Sequence, residues 1–214
     1  MGVGTALRRA IGDFYDESLR LVFLNTAFSA AALTVLVLGL YAPVAFVLLI
    51  GLGPLAAAFV YAAATKVETG TLRLLDALVG VRLCWRRGLV LWVLVLAVGG
   101  LTVLALDFYA GSGTYAWPLA GFVLYVSGTF AVFQLLLWPI AMTKRDRPFR
   151  RVLGDAAIAL LRRPVAATAL AVALLLVNLA GLAAAVLPFL TMTIAYSVLA
   201  ATRFALTPDP STEG

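Results

Sequence analysis

Residues 89–106 read LVLWVLVLAVGGLTVLAL, a run that contains neither a charge nor a proline. An α-helix of about 20 apolar residues crosses the ~30 Å hydrocarbon core of a bilayer, and it satisfies its backbone polar groups internally. This stretch therefore predicts a transmembrane helix.

Five further apolar blocks have similar lengths. They cover residues 21–40, 44–64, 117–142, 165–187 and 189–206. In the whole chain 64% of residues are apolar and 12% are charged, whereas a soluble domain has about 45–50% and about 25%. The sequence predicts an all-α, polytopic transmembrane bundle of about six spans within a single domain at residues 1–206. A disordered tail is expected at 207–214.

The last two blocks are separated only by Pro188. One helix over residues 165–206 would rise about 60 Å, twice the thickness of the hydrocarbon core, so two spans with a tight turn at Pro188 are preferred. A five-span chain is the alternative. It would place Arg203 and the C-terminal tail on the opposite side from the other basic residues.

The basic residues predict the orientation. All sixteen Lys and Arg residues lie before the first block, between the second and third, between the fourth and fifth, or at the end of the sixth. The other side carries a single charged residue, Asp107. Since short cytoplasmic loops are enriched in Lys and Arg, both termini are expected to be cytoplasmic, with the bundle in the cytoplasmic membrane.

Three of the cytoplasmic segments have the pattern of amphipathic helices, at residues 7–19, 71–87 and 149–163. In the second, an apolar face of Leu74, Leu75, Leu78, Val81 and Trp85 opposes Arg73, Asp76 and Arg87. Such helices lie in the membrane interface, where arginines reach anionic headgroups. The residues expected to face lipid or a partner are Arg73, Arg86, Arg87, Arg151, Arg162 and Arg163.

Two of these segments also resemble each other. Residues 8–13 read RRAIGD and residues 150–155 read RRVLGD, and a Leu-Arg pair follows each at the same distance. One interpretation is three parallel repeats, each an amphipathic helix followed by a hairpin of two spans, with a looser middle copy. The alternative is that arginine-rich and leucine-rich helices resemble one another by composition alone.

Candidate functional residues are the polar groups within the spans, because charged groups are absent from the centres of all six. Asn25, Gln134 and Asn178 carry amides, and Pro54 interrupts the second span and frees a backbone carbonyl. We expect them to line a cavity for a neutral ligand, or else to form hydrogen bonds between helices. Aromatic residues around Gln134 would suit a sugar or another uncharged polar molecule.

Several classes of function are disfavoured by composition. The chain has no histidine and one cysteine, Cys84, so the commonest metal ligand and general base are missing. No metal, cofactor or enzymatic activity is expected. The net charge of +6 is assigned to anionic lipid, and nucleic acid is not expected as a partner.

The sequence also resembles a family. Asn25, the stretch Gly53-Pro54-Leu55-Ala56-Ala57-Ala58, Tyr61 and the basic loop before Phe149 are similar to the YesL-like bacterial integral membrane proteins, a family of unknown function. Residues 81–85 depart from its phenylalanine-rich pattern. The resemblance implies an association with carbohydrate ABC uptake systems. Separately, Asp155-Ala156-Ala157 faintly resembles the coupling loop of ABC permeases, although the glycine spacing of that loop is missing.

Two functional hypotheses follow. The first is a transport-associated membrane protein, either an accessory of a solute uptake system such as an ABC transporter or a small transporter-like bundle for a neutral solute. The second is a structural scaffold that binds anionic lipid. They differ in whether the bundle encloses a polar cavity at Gln134 and Asn178.

Overall fold

The computed structural model describes residues 2–111, 116–184 and 192–207. Within these ranges the chain forms helices and no strands, which confirms the all-α prediction. The α-helices are α1 Val3–Asp16, α2 Ser18–Tyr41, α3 Leu52–Thr69, α4 Leu74–Gly111, α5 Trp117–Thr143, α6 Phe149–Arg162, α7 Pro164–Ala184 and α8 Ile194–Leu206. A 3₁₀ helix at Pro43–Gly51 leads directly into α3.

Five segments are long and apolar enough to cross a membrane. They are Ser18–Tyr41, Pro43–Thr69, Leu74–Gly111, Trp117–Thr143 and Pro164–Ala183. The sixth predicted block contains the apolar helix α8, whose 13 residues rise about 20 Å, less than the ~30 Å core. The predicted turn at Pro188 and the tail from residue 208 onwards lie outside the described residues.

The second predicted interfacial helix is wrong as a separate element. Residues 71–87 and 89–106 were expected to be divided near Gly88, but α4 runs without a break for 38 residues, about 57 Å at 1.5 Å per residue. The other two amphipathic segments do form separate helices, since α1 ends at Asp16 and α6 ends at Arg162.

The face by which α4 packs on the bundle consists mainly of small residues, and the predicted apolar face of residues 71–87 lies mostly on the surface. Leu75 and Leu78 are 66% exposed, whereas the buried residues are Ala77, Gly80, Cys84, Gly88 and Leu91. Small residues at this spacing let two helix backbones approach closely. A Cβ built on Gly88 would lie 2.5 Å from Ala57 Cβ and 2.6 Å from the Gly53 carbonyl oxygen. Backbone proximity to α3, and not apolar area, therefore decides how α4 is oriented.

Helix α8 lies at the centre of the bundle. Ala195, Leu199 and Ala200 are fully buried, and the helix packs against α1, α2, α3, α5 and α7. Its Arg203 side chain forms two hydrogen bonds with the Asp13 carboxylate, Nε to Oδ2 at 2.6 Å and Nη2 to Oδ1 at 2.8 Å. The first and last described helices are thus joined by an ion pair that spans 190 positions.

The likeness between α1 and α6 extends to their surroundings. The equivalent residues Ala10 and Val152 are both fully buried. Asp13 pairs with Arg203, while Asp155 pairs with the basic loop before α6, through Lys144 at 2.9 Å and Arg147 at 3.0 Å. The middle unit has no separate amphipathic helix, so the predicted threefold pattern does not extend to it.

Candidate functional site

A cavity of about 370 Å³, partly open to the outside of the bundle, lies between α2, α3, α4, α5, α7 and α8. Its wall is mostly apolar, and it contains the two amides that the sequence analysis singled out in the later spans, Gln134 and Asn178. Concave sites of this size, lined by apolar groups with a few polar ones, are typical of small-molecule binding sites.

Gln134 is a polar residue of this wall whose amide has no hydrogen-bond partner among the described residues. Gln134 is only 7% exposed, and neither Oε1 nor Nε2 of its side chain forms a hydrogen bond within the described part of the protein. A buried donor or acceptor left unpaired costs about 1–3 kcal/mol. Both amide atoms also have almost no accessible surface, so they lie behind the surface of the cavity and would meet an occupant only if the Gln134 side chain turned.

Asn178 is instead held in place by its neighbours. Its Nδ2 donates to the Leu174 carbonyl and to Ser197 Oγ, each at 2.7 Å. Ser197 in turn donates to the Thr193 carbonyl, also at 2.7 Å. This chain of hydrogen bonds joins α7 to α8 and fixes the polar side of the cavity.

A backbone carbonyl is a further polar group near the cavity. Pro139 lies inside α5 and lines the cavity together with Leu135, four residues earlier. Because proline has no N–H, the Leu135 carbonyl lacks its usual helical donor. Thr202 is fully buried behind the wall, and its hydroxyl donates to the Val198 carbonyl at 2.7 Å.

Three aromatic side chains form another side of the wall. The rings of Phe28 and Trp92 meet edge to face with centroids 6.4 Å apart, and so do those of Trp92 and Trp138. Trp92 Nε1 donates to the Leu49 carbonyl in the 3₁₀ helix at 2.8 Å. The hydrogen bond fixes one ring and the packing orients the others, which leaves aromatic surface against the cavity.

The other two predicted cavity residues lie elsewhere. Asn25 is fully buried on α2, with Nδ2 and Oδ1 unpaired, but it is not part of this wall. Pro54 also lies outside the wall. It occupies the first turn of α3, directly after the 3₁₀ helix Pro43–Gly51. The expected interruption of the span is the change from 3₁₀ to α-helix at Leu52.

No ionisable side chain lines the described wall of the cavity. The charged residues meet at one end of the bundle, where the basic segments contact one another. Glu17 accepts from Arg20 at 2.6 Å and lies 3.7 Å from the buried Lys66, which donates to the Gly70 carbonyl. Charge and cavity are therefore separated in space.

Arg87 was predicted to face lipid or a partner, and the structure corrects this. Its guanidinium turns towards α5 and donates to the carbonyls of Ala141, Lys144, Arg145 and Arg147. Carbonyls at the end of a helix lack intrahelical donors, so a cation placed there satisfies them and complements the helix dipole. Arg73, Arg86, Arg151 and Arg162 are exposed, and Arg163 is half-buried.

Several wall residues escaped the sequence analysis. Phe28, Trp92, Ser197 and Thr202 carry no sequence pattern that distinguishes them from other residues of apolar helices. Their role depends on which helices are neighbours, and the sequence does not specify that. The amides were identifiable because a polar group within an apolar span is unusual.

Five long apolar helices, with the charged segments gathered at one end, define an integral membrane protein of the multi-span helical class. Comparison with protein-family models, curated proteins and solved structures finds no match. The resemblance to the YesL-like family stays a prediction.

Proposed function

We propose that this protein binds a small, uncharged polar solute within the membrane, as a transporter-like bundle or as part of a solute uptake system. The observation that carries the proposal is the unpaired, nine-tenths buried amide of Gln134 in the wall of a 370 Å³ cavity. A ligand with an adjacent donor and acceptor would satisfy both of its polar atoms.

The charge of the wall supports a neutral ligand. Moving an ion into a low-dielectric site requires a counter-charge, and the described part of the wall offers none. Hydroxyl or amide groups of a ligand could bond the Gln134 amide once its side chain turned towards the cavity, and could also bond the Leu135 carbonyl. The rings of Trp92 and Trp138 would pack against an apolar ring face, as in a monosaccharide.

The helices around the cavity support a role in transport. Pro139 weakens α5 beside Gln134, and the 3₁₀ segment Pro43–Gly51 bonds directly to Trp92. Helices interrupted in this way bend more readily than regular ones, and interrupted helices form the binding sites of many transporters. With its charged end inward, the protein would reside in a bacterial cytoplasmic membrane with both termini cytoplasmic.

Tryptophan fluorescence tests the proposal, because Trp92 and Trp138 belong to the wall. We would titrate purified protein with a panel of uncharged monosaccharides and polyols, alongside Gln134→Leu and a control, Thr129→Val, on an exposed position of the same helix. At least one solute should change the emission of wild type and control, with about tenfold weaker binding to Gln134→Leu, the size of one lost hydrogen bond.

Two outcomes would overturn the proposal. One is that no uncharged solute changes the fluorescence of the wild-type protein at millimolar concentration. The other is that Gln134→Leu binds as tightly as wild type, since the amide would then have no part in recognition.

If the protein is an accessory of a solute uptake system, α6 is the helix expected to contact the ABC transporter. Ala156 is fully buried and Asp155 pairs with Lys144, so this segment is packed on the protein and would meet an ATPase only through its exposed face. Single cysteines at Arg151 and Arg162 on that face should crosslink to an ABC component in cells, and Ala156→Cys should not. Failure of both exposed positions would remove the support for an accessory.

A further inference from the structure

The helices around the central cavity pack in three similar groups. The innermost helices, α3, α5 and α8, each pack against the other two, and all three run towards the charged end of the bundle. Each of them also packs on the group that follows in a cyclic order: α3 on α4, α5 on α6 and α7, and α8 on α1 and α2. This is the packing expected of three parallel repeats around an axis along the membrane normal.

The first and third groups keep a fixed separation along the chain. α3 begins at Leu52 and α8 at Ile194, and this separation of 142 positions is also that between the RRAIGD and RRVLGD stretches. At the same separation Gly39 and Gly181 are both buried, and each lies closely against the segment that leads into the next helix. The middle group has no separate amphipathic helix, but α5 packs as α3 and α8 do. A separation kept through several helices favours repetition over a likeness of composition.

The wall of the cavity repeats in the same way. Each innermost helix contributes one residue and the residue three positions later, on the same face. These pairs are Ala56 and Phe59 on α3, Leu135 and Trp138 on α5, and Val198 and Ala201 on α8. The pairs on α3 and α8 are again 142 positions apart. The cavity therefore lies where the three groups meet, and transporters built from repeats bind their substrates at such junctions.

One of the three later positions differs in size. Phe59 and Trp138 carry large aromatic side chains, whereas the equivalent residue on α8 is Ala201. Ala201 presents only a methyl group to the cavity, so the space that a third aromatic ring would fill remains open. Part of the volume of about 370 Å³ therefore depends on this alanine.

We propose that the three groups are structural repeats and that Ala201 sets the size of the solute that binds where they meet. This role rests on the proposed function, because Ala201 would act on the same solute. The solute would lie over Ala201, opposite the rings of Phe59 and Trp138. Asn178 would meet its polar part from the same side, since Asn178 bonds Ser197 on α8 at 2.7 Å.

Uncharged thiol reagents measure the space beside Ala201 without any solute. In a Cys84→Ala background, Val198→Cys provides a single thiol in the wall, which would be treated with methyl and benzyl methanethiosulfonate. Ala201→Phe should slow the benzyl reagent by about tenfold or more, and the methyl reagent less, because the added ring occupies the space. Ala131→Phe, at an exposed position of α5, should change neither rate.

Moving the small residue to another group tests whether the positions are equivalent. Phe59→Ala combined with Ala201→Phe exchanges the two side chains, so the benzyl rate lost in Ala201→Phe should recover. The fluorescence titrations with uncharged solutes would be repeated without the added thiol, and Ala201→Phe should weaken binding by about tenfold or more. Thermal unfolding shows which variants are folded, and Ala201→Leu replaces Ala201→Phe if the latter is not.

The outcomes separate this role from the proposed function. An unchanged benzyl rate in folded Ala201→Phe, or unchanged solute binding by it, would overturn the role of Ala201. No recovery in the exchanged variant would overturn the equivalence of the repeats. If Ala201→Phe blocks the benzyl reagent but wild type binds no solute, the proposed function fails while Ala201 still limits what enters the cavity.

Discussion

The contact between α3 and α4 yields a prediction for Gly88→Ala. The added Cβ would meet Ala57 Cβ at 2.5 Å and the Gly53 carbonyl oxygen at 2.6 Å, whereas ordinary contact begins at 3.4 Å. The shortfall is about 0.9 Å against two atoms of a neighbouring helix, and neither atom is the end of a flexible side chain. The helices must separate, and overpacking of this kind costs about 1–3 kcal/mol.

Gly99→Ala provides a matched control on the same helix. A Cβ at Gly99 meets nothing within 4 Å, so this change should be neutral or stabilising by up to about 1 kcal/mol, the difference in helix propensity between alanine and glycine. Reversible unfolding in a denaturing detergent would measure both variants. Gly88→Ala should unfold first, wild type next and Gly99→Ala last.

A compensating substitution sharpens the test. Replacing Ala57 by glycine removes the nearest atom, so Ala57→Gly combined with Gly88→Ala should recover part of the lost stability, while the contact with the Gly53 carbonyl persists. If Gly88→Ala is as stable as Gly99→Ala, the backbones of α3 and α4 are not in close contact, and the reasoning about this interface fails.

Three further predictions concern the charged end of the bundle. Arg203→Gln leaves the Asp13 carboxylate, 11% exposed, without its partner and should lower the free energy of unfolding by about 3 kcal/mol; a change below about 0.5 kcal/mol would contradict a tight ion pair. Arg87→Gln removes the donors to the end of α5, so amide hydrogen exchange should accelerate at residues 141–147 and not at 120–130. The hydrogen bond from Lys144, above all, lowers the pKa of Asp155. Because the pKa is lower in the folded state, this stabilisation is fully present above the unfolded carboxyl pKa of about 3.9 and disappears as pH falls through the folded value. Wild type and Asp155→Asn should therefore differ in unfolding midpoint at pH 6 and converge near pH 2, and a constant difference would argue against this ion pair.

The sequence predicted which segments form helices better than it predicted which helices contact one another. The positions of the long helices could be predicted from the hydrophobic blocks. The outer faces of these helices contact hydrocarbon, so apolar residues are favoured at most of their positions. Near Gly88 the same reasoning failed. A glycine after two arginines resembles a helix boundary in isolation, yet here it is the point where α3 comes closest.

Of the four predicted cavity residues, the structure brings Gln134 and Asn178 together and leaves Asn25 and Pro54 outside the wall. All four were chosen because each is an unusual residue within an apolar helix. The sequence shows that such a residue is present, but it does not show which neighbouring helix or cavity the residue faces. Which side of a helix faces the cavity depends on how the helix is rotated against its neighbours. That rotation follows from close packing of small residues, which leaves no strong periodic signal.

The sequence by itself determined the environment of the chain. Composition and block length establish an α-helical membrane protein, because apolar blocks of about 20 residues match the length at which a helix crosses a bilayer with its backbone satisfied internally. The tertiary structure alone decided that α4 is continuous, that α8 is central, that Arg87 faces α5, and that one amide remains unpaired. These features depend on contacts between residues far apart in sequence, and such contacts are specified by shape and distance.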